Sequence, residues 1–99
     1  MDKETLYEKL EKAAFILKTV AHPLRLAVID LLDKKEKMSV NEICEELYAE
    51  QSLISHHLTN MKLKGLLRSE KQGVQVLYSL KEKDLVKLLD CIENCNCNM

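Results

Sequence analysis

Residues 39–65 read SVNEICEELYAEQSLISHHLTNMKLKG, and the fold turns on how this stretch is parsed. Ser39-Val40-Asn41-Glu42 has the form of a capping box. The Ser39 hydroxyl can take the N–H three residues on, and the Glu42 carboxylate can reach back to the Ser39 N–H. A short helix follows, with Val40, Ile43, Cys44 and Leu47 facing inward, and it ends near Tyr48. Residues 49–51 form a tight turn. Ser52 is then expected to cap a second helix over residues 53–64, stopped by Gly65, since a glycine just past a helix accepts the left-handed conformation that ends it. Ile54, Leu58 and Met61, with Leu53 and His57 beside them, make one face apolar. Ser55, His56, Thr59, Asn60, Lys62 and Lys64 are hydrogen-bonding or charged. A helix bearing short polar side chains fits the major groove of duplex DNA, because Ser, Thr, Asn and His reach base edges without holding the helix away. Two helices joined by a tight turn, the second of this character, read as a helix-turn-helix.

Downstream the hydrophobic period changes from 3.6 to 2. Leu67, Ser69 and Lys71 alternate with Leu66, Arg68 and Glu70, and after Lys71-Gln72-Gly73 the alternation resumes through Val74, Val76, Tyr78 and Leu80. This predicts a β-hairpin with a glycine-containing, basic tip. As a wing beside the helix, it would bring Arg68, Lys71, Gln72 and Gln75 to flanking phosphates or the minor groove. A last helix is expected over residues 81–93, with Leu85, Leu88, Leu89 and Ile92 on one face. Upstream, Leu6, Leu10, Ala13, Leu17 and Val20 predict an amphipathic helix over residues 3–20, with Phe15 and Ile16 apolar beyond the stripe. His22-Pro23 breaks it. A second helix over residues 23–32 has Leu24, Ala27, Val28, Leu31 and Leu32 as its core face, and residues 33–37 connect it to the capping box. The fold class is therefore mainly α with a small β-hairpin, in the order α-α-α-α-β-β-α.

The chain has 99 residues, of which 46% are apolar and 31% charged, with 2 Gly and 1 Pro. That suffices for one core, disfavours a β-sandwich and excludes a disordered chain. We divide it into a domain over residues 1–94 and a cysteine-containing tail over residues 95–99. The longest apolar run, residues 13–17, is far too short to span a membrane. The first residues show no secretion signal, so a cytoplasmic protein with reduced thiols is expected. The net charge of −1 does not suggest a general nucleic-acid binder, but it is unevenly spread. Residues 30–50 carry a net −4 and residues 51–76 a net +3, so the recognition segment is locally basic. No Cys–His dyad and no glycine-rich phosphate loop is evident, which argues against an enzyme.

With these pieces in order, the chain resembles the ArsR/SmtB-type winged-helix repressors. The resemblance is carried by Ala21-His22-Pro23-Leu24-Arg25-Leu26, by Gln51-Ser52-Leu53-Ile54-Ser55-His56-His57-Leu58, by Met61-Lys62-Leu63-Lys64-Gly65-Leu66-Leu67 and by Val76-Leu77-Tyr78-Ser79-Leu80. It implies a homodimer built from the first and last helices, a palindromic double-stranded operator, and release when an inducer binds. One sensor site of the family is a Cys-Val-Cys pair, where this chain has Ser39, Val40 and Asn41. A second uses carboxylates and histidines, where this chain has Glu82, Asp84, Cys95 and Asn98. A third pairs a cysteine near the C-terminus with one at the position of Asp30. None of the three sets is complete here.

What stands out instead is Cys91, Cys95 and Cys97. Cys91 and Cys95 are one helical turn apart, and Cys97 follows closely. Three soft thiolates in mutual reach suit As(III) or Sb(III), or a soft divalent metal ion with a further ligand. The same thiols suit oxidation or persulfidation. Cys44 reads as a small core residue or an added ligand. A winged-helix protein-interaction module is the remaining alternative, separated from a DNA reader by sequence-dependent binding with a steep salt slope.

Overall fold

The computed structural model describes residues 3–82, 85–87 and 90. The elements are α1 (Lys3–Val20), α2 (Pro23–Lys35), β1 (Met38–Ser39), α3 (Val40–Leu47), α4 (Gln51–Leu63), β2 (Leu67–Gln72) and β3 (Gln75–Leu80), and residues 85–87 and 90 are helical. Among the described residues the last helix therefore begins later than residue 81. Glu82 lies outside it, with its carboxylate 3.8 Å from the Lys12 ammonium. Cys91, Cys95, Cys97 and the tail over residues 95–99 lie outside the described residues.

Local chemistry accounts for most element boundaries. His22 is extended and its Nδ1 accepts the Leu24 N–H at 3.1 Å, which caps α2, while Pro23 fills the first turn where an N–H would go unpaired. α2 runs to Lys35, three residues past its expected end. Lys34 pairs with Asp30 at 3.1 Å, and lysines in the last turn complement the helix dipole. Glu36 then ends the helix at φ 67°, donating its N–H to the Leu32 carbonyl. The capping box at α3 is present in both directions, with Glu42 N–H to Ser39 Oγ at 3.2 Å and Ser39 N–H to Glu42 Oε1 at 3.0 Å.

The start of α4 corrects the sequence reading. Glu50 occupies the cap position without a side-chain bond, Gln51 is the first helical residue, and Ser52 sits exposed within the first turn. At the other end Gly65, at φ 82°, donates to the Lys62 carbonyl at 3.0 Å, and Leu66 donates to the Met61 carbonyl at 2.9 Å. This paired closure needs a left-handed residue after the cap, and Gly supplies it without a Cβ penalty. It turns the chain straight into β2.

The hairpin is joined by a third strand. Met38 and Ser39 pair antiparallel with Tyr78 and Leu77, so the sheet order is β1-β3-β2. The polar connection upstream hid this short strand, whose partner lies some forty residues on. The hairpin turn is Gly73-Val74, because Gln72 faces Gln75 in the register. Gly73 has φ 62°, as the first position of a two-residue hairpin turn of this kind requires. Val74 is therefore a tip residue rather than a strand residue.

The core is Val20, Val28, Ile29, Leu32, Met38, Ile43, Ile54, Leu58, Met61, Leu66, Leu67 and Leu85. Ile29, absent from the expected face of α2, is fully buried because the helix lies between α3 and the sheet rather than on one surface. α1 behaves differently. Only its C-terminal end, Ile16, Thr19 and Val20, enters this core, while Leu6, Tyr7, Leu10, Phe15 and Leu17 remain exposed. No helix among the described residues is long and apolar enough to cross a membrane.

Candidate nucleic-acid interface

α4 divides cleanly by face. Successive residues advance about 100° around a helix, so residues 54, 57, 58 and 61 share one side. All four are buried. The opposite side carries Ser52, His56, Thr59 and Lys62, all exposed, with Ser55 half-buried at its edge. Leu63, 81% exposed, lies on this outer face as well, and the sequence reading had not singled it out. Burying Ile54, Leu58 and Met61 anchors the helix, at about 1.5–3 kcal/mol for each such side chain. That anchoring turns the polar face outward.

Not every residue assigned to this face sits there. Asn60 is half-buried, and its Oδ1 is buried without a hydrogen-bond partner among the described residues. The Lys64 ammonium lies 5.1 Å above the Phe15 ring centroid, a cation–π contact that draws it towards α1. Lys64 is therefore turned towards the first helix, and Asn60 lies between the buried and the outer face of α4.

The wing residues also separate. Alternation along β2 puts Arg68, Glu70 and Gln72 on one strand face and Lys71 on the other. Arg68 faces Ser79 at the base of the hairpin, where it lines an open cleft with Asp33, Glu36 and Lys37 from the end of α2. Gln72 and Gln75 face each other at the tip, and Lys71 is exposed beside them. The Glu70 carboxylate accepts from Gln72 Nε2 and from Lys37 Nζ, each at 3.1 Å, and these donors lower its pKa, the Gln72 bond most. Lys37 thus neutralises the acid on the wing. Its place in the connection after α2 gave no hint of this in sequence. Two further exposed side chains flank the unit: Tyr48, 96% exposed in the turn at φ 52°, and Val74, fully exposed at the wing tip.

His57 is the polar residue of the buried face. Its Nδ1 accepts from Arg25 Nε at 2.9 Å, and Arg25 Nη1 donates to the Thr19 carbonyl at 2.9 Å. The His22 ring lies 4.6 Å from it between centroids. Burial, followed by the charges of Arg25, His22 and His56, lowers the His57 pKa. His56, next along the helix, is exposed, so the two histidines point apart as their spacing requires.

The described residues do not form a metal centre. No group of three His, Cys, Asp or Glu side chains converges among them. At the start of α3 the Ser39 hydroxyl and the Glu42 carboxylate are committed to the capping box, and Asn41 is exposed. Cys44 is a free, half-buried thiol packed against the core. The donors here do not fit a thiolate site on α3.

Comparison with known proteins agrees with this geometry. Residues 22–69 match the family described as bacterial regulatory protein, arsR family. The transcriptional repressor PagR of Bacillus anthracis is 38% identical over 96 residues, covering 94% of this chain and 96% of PagR. The PagR crystal structure aligns with a TM-score of 0.74 at 37% identity, covering 84% of this chain and 98% of that one. A predicted DNA-binding transcriptional regulator from Escherichia coli aligns with a TM-score of 0.85 at 28% identity, covering 94% and 98% of the two chains. The regulator HlyU of Vibrio vulnificus aligns with a TM-score of 0.81 at 28% identity, covering 98% and 100%.

Proposed function

This chain belongs to the arsR family of bacterial regulatory proteins, a family of DNA-binding transcriptional regulators rather than enzymes, and on that premise we propose that it is a homodimeric repressor that reads a palindromic operator with α4. The observation that carries the reading is the outer face of α4. Ser52, Ser55, His56, Thr59 and Lys62 are presented by a helix whose opposite face is locked into the core. Such a face has the size and hydrogen-bonding character for base edges, and Lys71, Gln72 and Gln75 at the wing suit the neighbouring backbone. Lys64, Asn60 and Arg68 act at the margin of this surface. The exposed apolar residues of α1 support pairing with a second copy, which would set two α4 helices against successive major grooves.

Fluorescence anisotropy of the full chain on its own promoter tests this. Ser55→Ala and His56→Ala should each weaken binding by about 1–3 kcal/mol and relax sequence preference, whereas Lys71→Ala should weaken all sequences alike and reduce the salt slope by about 1. Unchanged affinity in all three variants would reject the assigned surface.

For release, the reading is that Cys91, Cys95 and Cys97 receive the inducer, a metalloid or soft metal ion such as arsenite. The support is the chemistry of three thiols within seven residues of sequence. Thiol oxidation or persulfidation is the second reading, supported by the same residues. Gel shifts with arsenite, zinc, cadmium and a persulfide donor in turn separate the two. Normal release from a triple Cys→Ser variant would exclude both.

A further inference from the structure

We propose that Arg25 and His57 form a proton-sensitive clamp that positions the recognition helix, so that operator binding weakens when His57 is protonated. The inference rests on the reading of α4 as the recognition helix and adds a regulatory input to it.

The clamp joins three parts of the fold. His57 comes from the buried face of α4, Arg25 from the first turns of α2, and the Thr19 carbonyl from the end of α1. Arg25 is thus a two-pronged tie, with Nε on His57 Nδ1 and Nη1 on Thr19 O, both at 2.9 Å. His57 is 5% exposed and has little freedom to turn away. The Arg25 guanidinium is a donor at every nitrogen, so His57 Nδ1 must be the bare acceptor and the ring proton must sit on Nε2. The bond therefore exists only while the ring is neutral.

A second proton would bind Nδ1. That N–H would then face the Arg25 Nε–H, donor against donor and cation against cation, in a place that water reaches poorly. The surroundings offer no relief. The charged and titratable groups that act on the ring are Arg25 from α2, His22 at the cap of α2 and His56 on α4, all cationic or able to become so. No carboxylate from α1, α3 or the sheet acts on it among the described residues. Either the Arg25 arm or the α4 ring must move, and Arg25 is also tied to α1. The helix that reads DNA would thereby shift against the two helices that hold it.

His56 provides an internal contrast. It is the next residue, but exposed on the proposed DNA face and away from the Arg25 bond. Its replacement should therefore leave the acid response of the clamp in place.

The test measures operator affinity of the full chain from pH 8 to pH 5.5 at constant ionic strength. Wild type should lose affinity on acidification, with the loss growing towards pH 5.5, because the His57 pKa lies below the ordinary histidine value. His57→Gln keeps an amide oxygen for Arg25 without a titratable proton, and its profile should lose the acid-dependent fall. His56→Gln should bind more weakly throughout but keep the wild-type fall on acidification. In parallel, histidine Cε1–H titration by NMR on the free protein should place the His57 midpoint below the ordinary histidine value, with α4 amides shifting at that midpoint. A His57→Gln profile that falls as wild type does, or α4 amides that ignore the His57 titration, would overturn the clamp. Absence of operator binding at every pH would instead count against the function reading, and the NMR titration would still decide the clamp.

Discussion

α1 and α4 each hold one face away from the core of the chain, and the two faces are chemically opposite. α1 exposes Leu6, Tyr7, Leu10, Phe15 and Leu17, whereas α4 exposes mainly serine, histidine, threonine and lysine. An apolar stripe left in water is compensated only by another apolar surface. A short-chain polar face on an anchored helix costs little in water and gains most against a partner rich in donors and acceptors. On the proposed reading, the comparison separates where the molecule would pair with itself from where it would read DNA.

The largest expected effect lies on the apolar side. Leu10→Glu should leave the helix formed but place a charge in the stripe, yielding a monomer by sedimentation. Loss of the paired half-site should then cost about 100-fold or more in operator affinity. If the variant remains dimeric, the α1 stripe is not the pairing surface. Next comes the contrast within α4. Leu58→Ala removes a fully buried side chain and should cost about 2–5 kcal/mol in urea unfolding. Leu63→Ala, on the outer face, should stay within about 0.5 kcal/mol. Similar losses from both would mean that the inner and outer faces have been exchanged. A smaller effect than the loss of Leu58 concerns the turn before α4. Tyr48 occupies the left-handed region at φ 52° while 96% exposed, so packing does not compensate its strain. Tyr48→Gly should raise stability by up to about 1 kcal/mol, read as an increase in Tm. A fall in Tm would show that the phenol makes a stabilising contact in solution.

Much of this architecture is legible residue by residue. The capping box at Ser39, the proline after His22, the glycine ending α4 and the change of period after Gly65 all act within a few residues, and each corresponds to an observed boundary. The start of α4 was misread because Ser52 is a good capping residue in a place where the chain already enters the helix at Glu50. The hairpin turn moved by one residue because Val74 continues an alternation that the glycine ahead of it has already broken. The candidate site was legible as a face of α4, but Asn60, Lys64 and Arg68 look like Thr59 and Lys62 in sequence. Only their neighbours, among them Phe15 over α4 and the end of α2 beside β2, set them apart.

By itself the sequence determined the helices from α1 to α4, the apolar face of α4 and the order that makes a winged helix-turn-helix, because spacing, caps and turns are short-range physics. Tertiary structure alone decided that Met38 and Ser39 join the wing sheet through Tyr78 and Leu77, that Lys37 neutralises Glu70, and that Arg25 grips His57 thirty-two residues away. Those contacts depend on how the helices settle against one core, and no local periodicity encodes a pairing between residues so far apart along the chain.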